Sequence, residues 1–189
     1  MIVEKSLETR VHLQDGILSG PFVSESIRTL GQLKGFFEDE HARMRMPQDT
    51  VVYKVQVHAK EKEGVSGGLF FGTSFLYPGL VGEEYFMTKG HFHARPFCAE
   101  YYWCIRGNGV LMLMDTDANW HWERMSPGSL HYIPGNVGHR LINVSDSILS
   151  VGACWPSDAG HDYRSIVERG FPVRVKKADG KPVFTGSEA

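Results

Sequence analysis

The chain has too few cysteines for a disulfide framework and no apolar run long enough for a membrane helix. Its three cysteines, Cys98, Cys104 and Cys154, cannot all pair within one chain, and their spacing fits neither a zinc-finger nor a Cys-x-x-Cys motif. They are expected to be reduced and packed. No uncharged apolar stretch reaches the length needed to span a bilayer, and Met1–Ser6 lacks the basic-then-apolar pattern of a signal peptide. A cytoplasmic location is the expectation. Low-complexity tracts and internal repeats are also missing, which excludes solenoids and arrays. A net charge of −2, with both signs mixed along the chain, gives no broad attraction for nucleic acid or an anionic membrane. Any affinity for an anion has to be local.

What is present is the balance of a globular protein, with 42% apolar and 22% charged residues over 189 positions. That length suits a single domain covering 1–189, large enough to bury a core unaided. The helical spacing of Leu30, Leu33, Phe36 and Phe37 predicts one or two helices within Ser24–Met46, broken near Gly35, with Ser26 or Thr29 as cap. From Val51 onward, short runs rich in Val, Tyr, Phe, Trp and Ile alternate with Gly, Pro, Asn and Asp turns. Strands are predicted at 50–58, 69–77, 84–89, 99–106, 110–115, 120–125, 130–133, 139–143 and 148–155, forming an all-β barrel or sandwich over about 50–156. A short helix near Asp162–Arg169, stopped by Gly170, should follow. Glu61–Gly68 and the tail from Lys176 read as linker-like.

The sharpest chemical feature is Gly90-His91-Phe92-His93. Residues two apart on an extended strand share a face, so both imidazoles can grip one ion. Glu100, seven residues after His93, can bring a carboxylate from an adjacent strand, and His139, beyond the turn at Ile133–Asn136, can enter from a distant one. Three imidazoles and a carboxylate suit Fe, Mn, Zn, Ni or Co, with positions left open on a six-coordinate ion. A His-x-His pair alone can equally arise on a polar strand. The spacing beyond it is more telling: Glu100 precedes Gly107 by seven residues, Gly128 precedes Pro134 by six, His139 follows Pro134 by five, and Asn143 follows His139 by four.

With these intervals the sequence resembles the cupin superfamily, whose two motifs carry this His-x-His, Glu, Gly and Gly, Pro, His, Asn order. Tyr85 stands where the first motif begins with Gly, the gap before Glu100 is longer than usual, and Asn136 replaces a Gly, a position where Asn tolerates left-handed backbone. The longer gap is normal in one branch, the cupin-type glucose-6-phosphate isomerases. The chain resembles that branch in Val51-Val52-Tyr53, Leu76-Tyr77-Pro78-Gly79, Thr88–Ala94, Ala99-Glu100-Tyr101-Tyr102, Gly138-His139-Arg140 and Ser157–Tyr163. The resemblance implies a cupin jelly-roll β-barrel with a few short N- and C-terminal helices. It implies one divalent ion per subunit, Fe2+ before Mn2+, Zn2+, Ni2+ or Co2+, held by His91, His93, Glu100 and His139. It also implies a sugar-phosphate pocket lined by Tyr53, Ser74, Thr88, Gly90, Tyr102, His161 and Tyr163, and a homodimer.

Each pocket residue also has a plainer reading: Tyr53 as a core aromatic, Thr88 as a strand residue, Asp158–Tyr163 as a helix-entry turn with Asp162 capping. Hydroxyls, the Gly90 amide and an imidazole can hold a phosphate without a basic patch. Ser74 keeps the hydroxyl of an expected Thr, whereas Trp155 replaces a Tyr expected to face the substrate. Glu100 is the expected catalytic base, because no other carboxylate is tied to the motif. The rival expectations are a different metal-dependent cupin enzyme and a non-catalytic sugar-binding cupin.

Overall fold

The computed structural model describes residues 8–186, so Met1–Ser6, read above for a leader, lies outside them. The N-terminal part runs through β1 (Arg10–Val11), β2 (Leu18–Ser19) and β3 (Val23–Thr29) into a 3-10 turn at Leu30–Leu33 and the short helix α1 (Glu40–Arg45). The helix expected over 24–46 is thus largely replaced. Val23–Thr29 pairs antiparallel with the first barrel strand, from Val23 opposite His58 to Thr29 opposite Val51. The apolar spacing that suggested a helix belongs to the turn after it, where Leu30, Leu33 and Phe37 are buried in the core. Thr29 does precede that turn as its cap residue, its N–H donating to Gln32 Oε1 at 3.1 Å. Gly35, at φ 81°, separates the turn from α1, which is capped by Asp39 Oδ1 on the Ala42 N–H at 2.7 Å.

The barrel follows the predicted strands closely: β4 (Val51–His58), β5 (Leu69–Leu76), β6 (Leu80–Val81), β7 (Glu84–Tyr85), β8 (Glu100–Arg106), β9 (Gly109–Met114), β10 (Trp120–Met125), β11 (Leu130–Ile133), β12 (Gly138–Asn143) and β13 (Leu149–Pro156). After them come α2 (Arg164–Arg169), β14 (Val173–Ala178) and β15 (Lys181–Gly186). One sheet has the order β11-β8-β13-β5-β4-β3, and across the interior lies β10-β9-β12. All ladders are antiparallel, and the neighbours β8, β13 and β5 are far apart in sequence, the crossing pattern of a jelly roll. The cupin barrel is therefore present, and the described residues place two short α-helices beside it. Among the described residues no helix is long and apolar enough to cross a membrane.

Two segments depart from expectation. The strand predicted at 84–89 survives only as β7; residues 87–91 then cross to β12 through isolated pairings of Met87 with Ile142 and His91 with His139. The tail from Lys176 is not a linker. It completes the β14–β15 hairpin, which joins β7 and β6 in a further sheet, because Val173 and Val175 alternate inward over the core.

Asn143 fastens the two main sheets together. Its Nδ2 donates to Leu76 O at 2.9 Å and Ser147 O at 2.8 Å, while Oδ1 accepts from the Ser145 N–H and hydroxyl. The residue is fully buried, so no water replaces these bonds. Asn143→Ala is expected to lower unfolding free energy by about 2–4 kcal/mol in urea titration. A loss under about 0.5 kcal/mol, the level of a neutral surface change, would show the link to be dispensable.

Candidate metal centre

His91 and His139 face one another across a two-way backbone pairing, His91 N–H to His139 O at 3.2 Å and His139 N–H to His91 O at 3.0 Å. This corrects the expected arrangement: the neighbour of the His-x-His segment is the His139 strand, and Glu100 comes from the opposite sheet. The segment is extended but irregular, because Gly90 turns through φ 73°. A Cβ there would lie 2.8 Å from Phe171 Cε2 and 2.9 Å from His139 O, so only glycine fits. Thr88 Oγ1 fills the gap in the ladder by accepting the Leu141 N–H at 3.1 Å, leaving the hydroxyl proton free to donate.

The four side chains converge. One ligand-type atom from each of His91, His93, Glu100 and His139 lies within 4.8 Å of all the others, and three of the four residues are buried. His139 Nε2 is 2.6 Å and His93 Nε2 3.4 Å from Glu100 Oε1, yet all three atoms lack a hydrogen-bonded partner. Their other ring nitrogens are engaged, His93 Nδ1 with Cys98 O at 2.8 Å and His139 Nδ1 with Val137 O at 3.3 Å. A carbonyl on Nδ1 keeps the proton there and bares the Nε2 lone pair, the orientation a metal-binding imidazole requires. Three buried, unpartnered donors aimed at one point fit a divalent ion.

The electrostatics agree. Burial works against ionisation of Glu100, but the surrounding His139, His93 and His91 outweigh it and hold the carboxyl well below the usual carboxylate range. Burial, reinforced by His139, pushes His91 well below the ordinary imidazole value, so its lone pair is available. For His93 burial also favours the neutral ring, yet the nearby Glu100 carboxylate prevails and raises its pKa.

Beside the four ligands opens a cavity of about 210 Å³. Every residue expected from the sequence reaches it: Tyr53, Ser74, Thr88, Gly90, Tyr102, His161 and Tyr163 all line the wall with His91, Glu100 and His139. Tyr53 and Tyr102 are also core aromatics, buried enough that burial lifts the Tyr53 phenol to about 12. His161 stacks on Tyr163 with ring planes 4° apart, and its centroid is 4.5 Å from that of His91. The N-cap of α2 is Tyr163 rather than the expected Asp162, which stands one residue earlier and accepts the Arg164 N–H on Oδ1 at 2.9 Å, fixing the loop that carries His161.

The cavity also holds two cations that the sequence reading missed. Arg28 on β3 and Lys89 beside Gly90 both line it, so the expected phosphate pocket without a basic group is corrected. Burial, helped by the nearby Arg28 charge, lowers the Lys89 pKa. Two like charges drawn to one partly buried place mark where an anion is welcome. Trp155 reaches the wall too, edge-on to Phe70 at 5.9 Å and packed over Gly72, where a Cβ would stand 2.8 Å from the indole Cη2 and 2.8 Å from Gln56 O. Cys104 is buried, its Sγ 3.6 Å from Arg106 O and Gly107 O, a packed thiol as expected.

The chain has well-matched relatives. A glucose-6-phosphate isomerase from Thermococcus kodakarensis is 42% identical over 172 residues, 90% of this chain and 89% of that protein. Another from Pyrococcus furiosus is 40% identical over 174 residues, covering 91% and 90% of the two chains. A more distant one from Sinorhizobium medicae is 34% identical over 150 residues, 78% and 69%. Among solved structures, oxalate decarboxylase from Bacillus subtilis overlaps 58% of this chain and 26% of its own at 21% identity and a TM-score of 0.46. The model of the glucose-6-phosphate isomerase family matches residues 27–183, nearly the whole described fold and all four converging ligands, and the chain belongs to that family.

Proposed function

We infer that the chain interconverts D-glucose 6-phosphate and D-fructose 6-phosphate, a step shared by glycolysis and gluconeogenesis, with His91, His93, Glu100 and His139 holding one divalent ion. The observation that carries this reading is the set of unpartnered buried donors opening onto a cavity whose wall also presents Arg28 and Lys89. A divalent ion there supplies Lewis-acid stabilisation of negative charge on the C1 and C2 oxygens of the open-chain sugar. Fe2+ is the first choice by resemblance to the family, and a His₃Glu set equally accepts Mn2+, Zn2+, Ni2+ or Co2+.

The chain's own groups do the rest. Glu100, whose carboxylate is ionised, takes the proton from C2 of the aldose and returns it to C1 through an enediolate, while the hydroxyl proton passes from O2 to O1. His161, whose pKa is lowered by partial desolvation of its ring, can carry a proton to or from the ring oxygen as the sugar opens. At the other end, the Thr88 and Ser74 hydroxyls donate to the phosphate while Arg28 and Lys89 neutralise it. Tyr53 and Tyr102 close the wall and exclude water. The enzyme acts as a cytoplasmic homodimer in this reading.

The direct test is to add glucose 6-phosphate to metal-loaded protein and follow fructose 6-phosphate before and after chelation. Turnover should vanish with the ion and return on reloading; activity surviving complete chelation would overturn the metal-dependent reading. A second expected result concerns the phosphate. Arg28→Gln should raise KM by roughly tenfold or more with kcat nearly unchanged, since it removes binding common to ground and transition states. Free glucose should be a very poor substrate, and turnover of glucose as efficient as that of its 6-phosphate would remove the anion role from this cavity.

A further inference from the structure

His139 and Leu141 line the catalytic cavity, so Arg140 between them points out of the opposite face of β12. That face is not open to solvent: Arg140 is only 4% exposed, its guanidinium lying 4.4 Å from the centre of the Phe171 ring. Nη2 donates to Lys89 O at 2.8 Å, while Nε is buried without a partner. Nε is closed off, so a ligand would meet the guanidinium at Nη1, which makes no hydrogen bond among the described residues.

Arg140 borders a second cavity, of about 360 Å³, together with Lys34, Arg169 and Arg174. The acidic group on its wall is Glu168, and that carboxylate is already held by Arg164 at 2.6 Å. Arg174 is partly satisfied by Phe36 O at 2.6 Å and Glu84 at 3.0 Å, and Arg169 reaches Thr116 O at 3.2 Å. The cavity wall is therefore cationic in excess. Donors approach from three separate elements: β12, the loop after the 3-10 turn, and the end of α2. Such a convergence suits a multi-oxygen dianion better than a single carboxylate.

We propose that this cavity is a second oxyanion site, taking a phosphate-class dianion among Arg140, Lys34 and Arg169 on the far side of β12 from the catalytic cavity. The ligand is either free phosphate or the phosphate head of a small monoester. Occupancy meets the same guanidinium that grips Lys89 O, and Lys89 lies on the catalytic wall.

The test is calorimetric titration of full-length, metal-loaded protein with inorganic phosphate and, separately, with glycerol 3-phosphate, so the readout does not pass through catalysis. The double variant Lys34→Glu/Arg169→Glu changes two exposed side chains and should fold normally. One phosphate-binding event per chain should vanish or weaken by at least about tenfold in that variant, with KM for the sugar phosphate shifted less than about twofold. Tighter binding of the ester in the event that the double variant loses identifies a monoester ligand, and equal binding in that event identifies free phosphate, binding that persists in the variant belonging to the catalytic cavity. No phosphate binding to the wild type, or binding of the same stoichiometry and affinity in the variant, overturns the site and leaves Arg140 as a clamp on Lys89.

Discussion

Glu100→Gln, compared with the wild type at full metal occupancy, is expected to lose on the order of 10²–10⁴-fold in turnover. The substitution keeps the volume and an oxygen ligand but removes the negative charge that His139, His93 and His91 stabilise in the buried site. Metal affinity should weaken modestly, which is why saturation has to be checked in each sample. KM should move little, because the interaction lost develops in the transition state. A base that holds the transferred proton also leaves an isotopic trace. Wild-type product formed in deuterium oxide should carry solvent deuterium at the migrating position, and the variant none above background. Near wild-type turnover in the saturated variant would make Glu100 a ligand alone and assign the hydrogen movement to another group or to a hydride shift.

His139→Ala should act still more broadly. The imidazole is buried, 2.6 Å from Glu100, and its backbone is locked to His91, so no neighbour can move into its place. Metal content should fall to near zero at ordinary metal concentrations, and activity with it, by several kcal/mol of lost stabilisation or about a thousandfold and more. The barrel should nevertheless stay folded. Leu76, Leu111, Met112, Leu113 and Leu149 form an apolar core that does not involve the ligand side chains. Full metal stoichiometry in folded His139→Ala would sink the assignment, as would an unfolded apoprotein for the claim that the core stands alone.

How the sequence announced this site, and where it did not, has a physical explanation. The barrel strands are apolar and aromatic runs bounded by turn residues, β9 and β12 being buried along their whole length, and Asn136 takes the left-handed backbone expected of it, at φ 61°. Those signals are local, so most barrel strands and the four converging side chains were legible from spacing. The missed strand, β3, is different. Its residues Ser26 and Arg28 are polar and line the cavity, while Ile27 on the other face is 39% exposed. A strand whose polar face points inward reads backwards, and the neighbouring leucine spacing completed the disguise. With β3 went Arg28, the cation that the phosphate reading lacked. Which sheet carries Glu100 was equally hidden, since the spacing of one carboxylate from two imidazoles says nothing about which strands end up hydrogen-bonded.

The indole of Trp155 over Gly72 has an evolutionary corollary. A larger residue at position 72 would collide with the indole and with Gln56 O, and the second collision is with backbone, so shrinking Trp155 does not relieve it. The two positions are therefore coupled in one direction only. Position 155 can drift among large and small side chains, each changing the room left for the sugar, while position 72 cannot follow to refill the space. Exchanging the indole for a smaller ring would therefore widen the cavity rather than repack it.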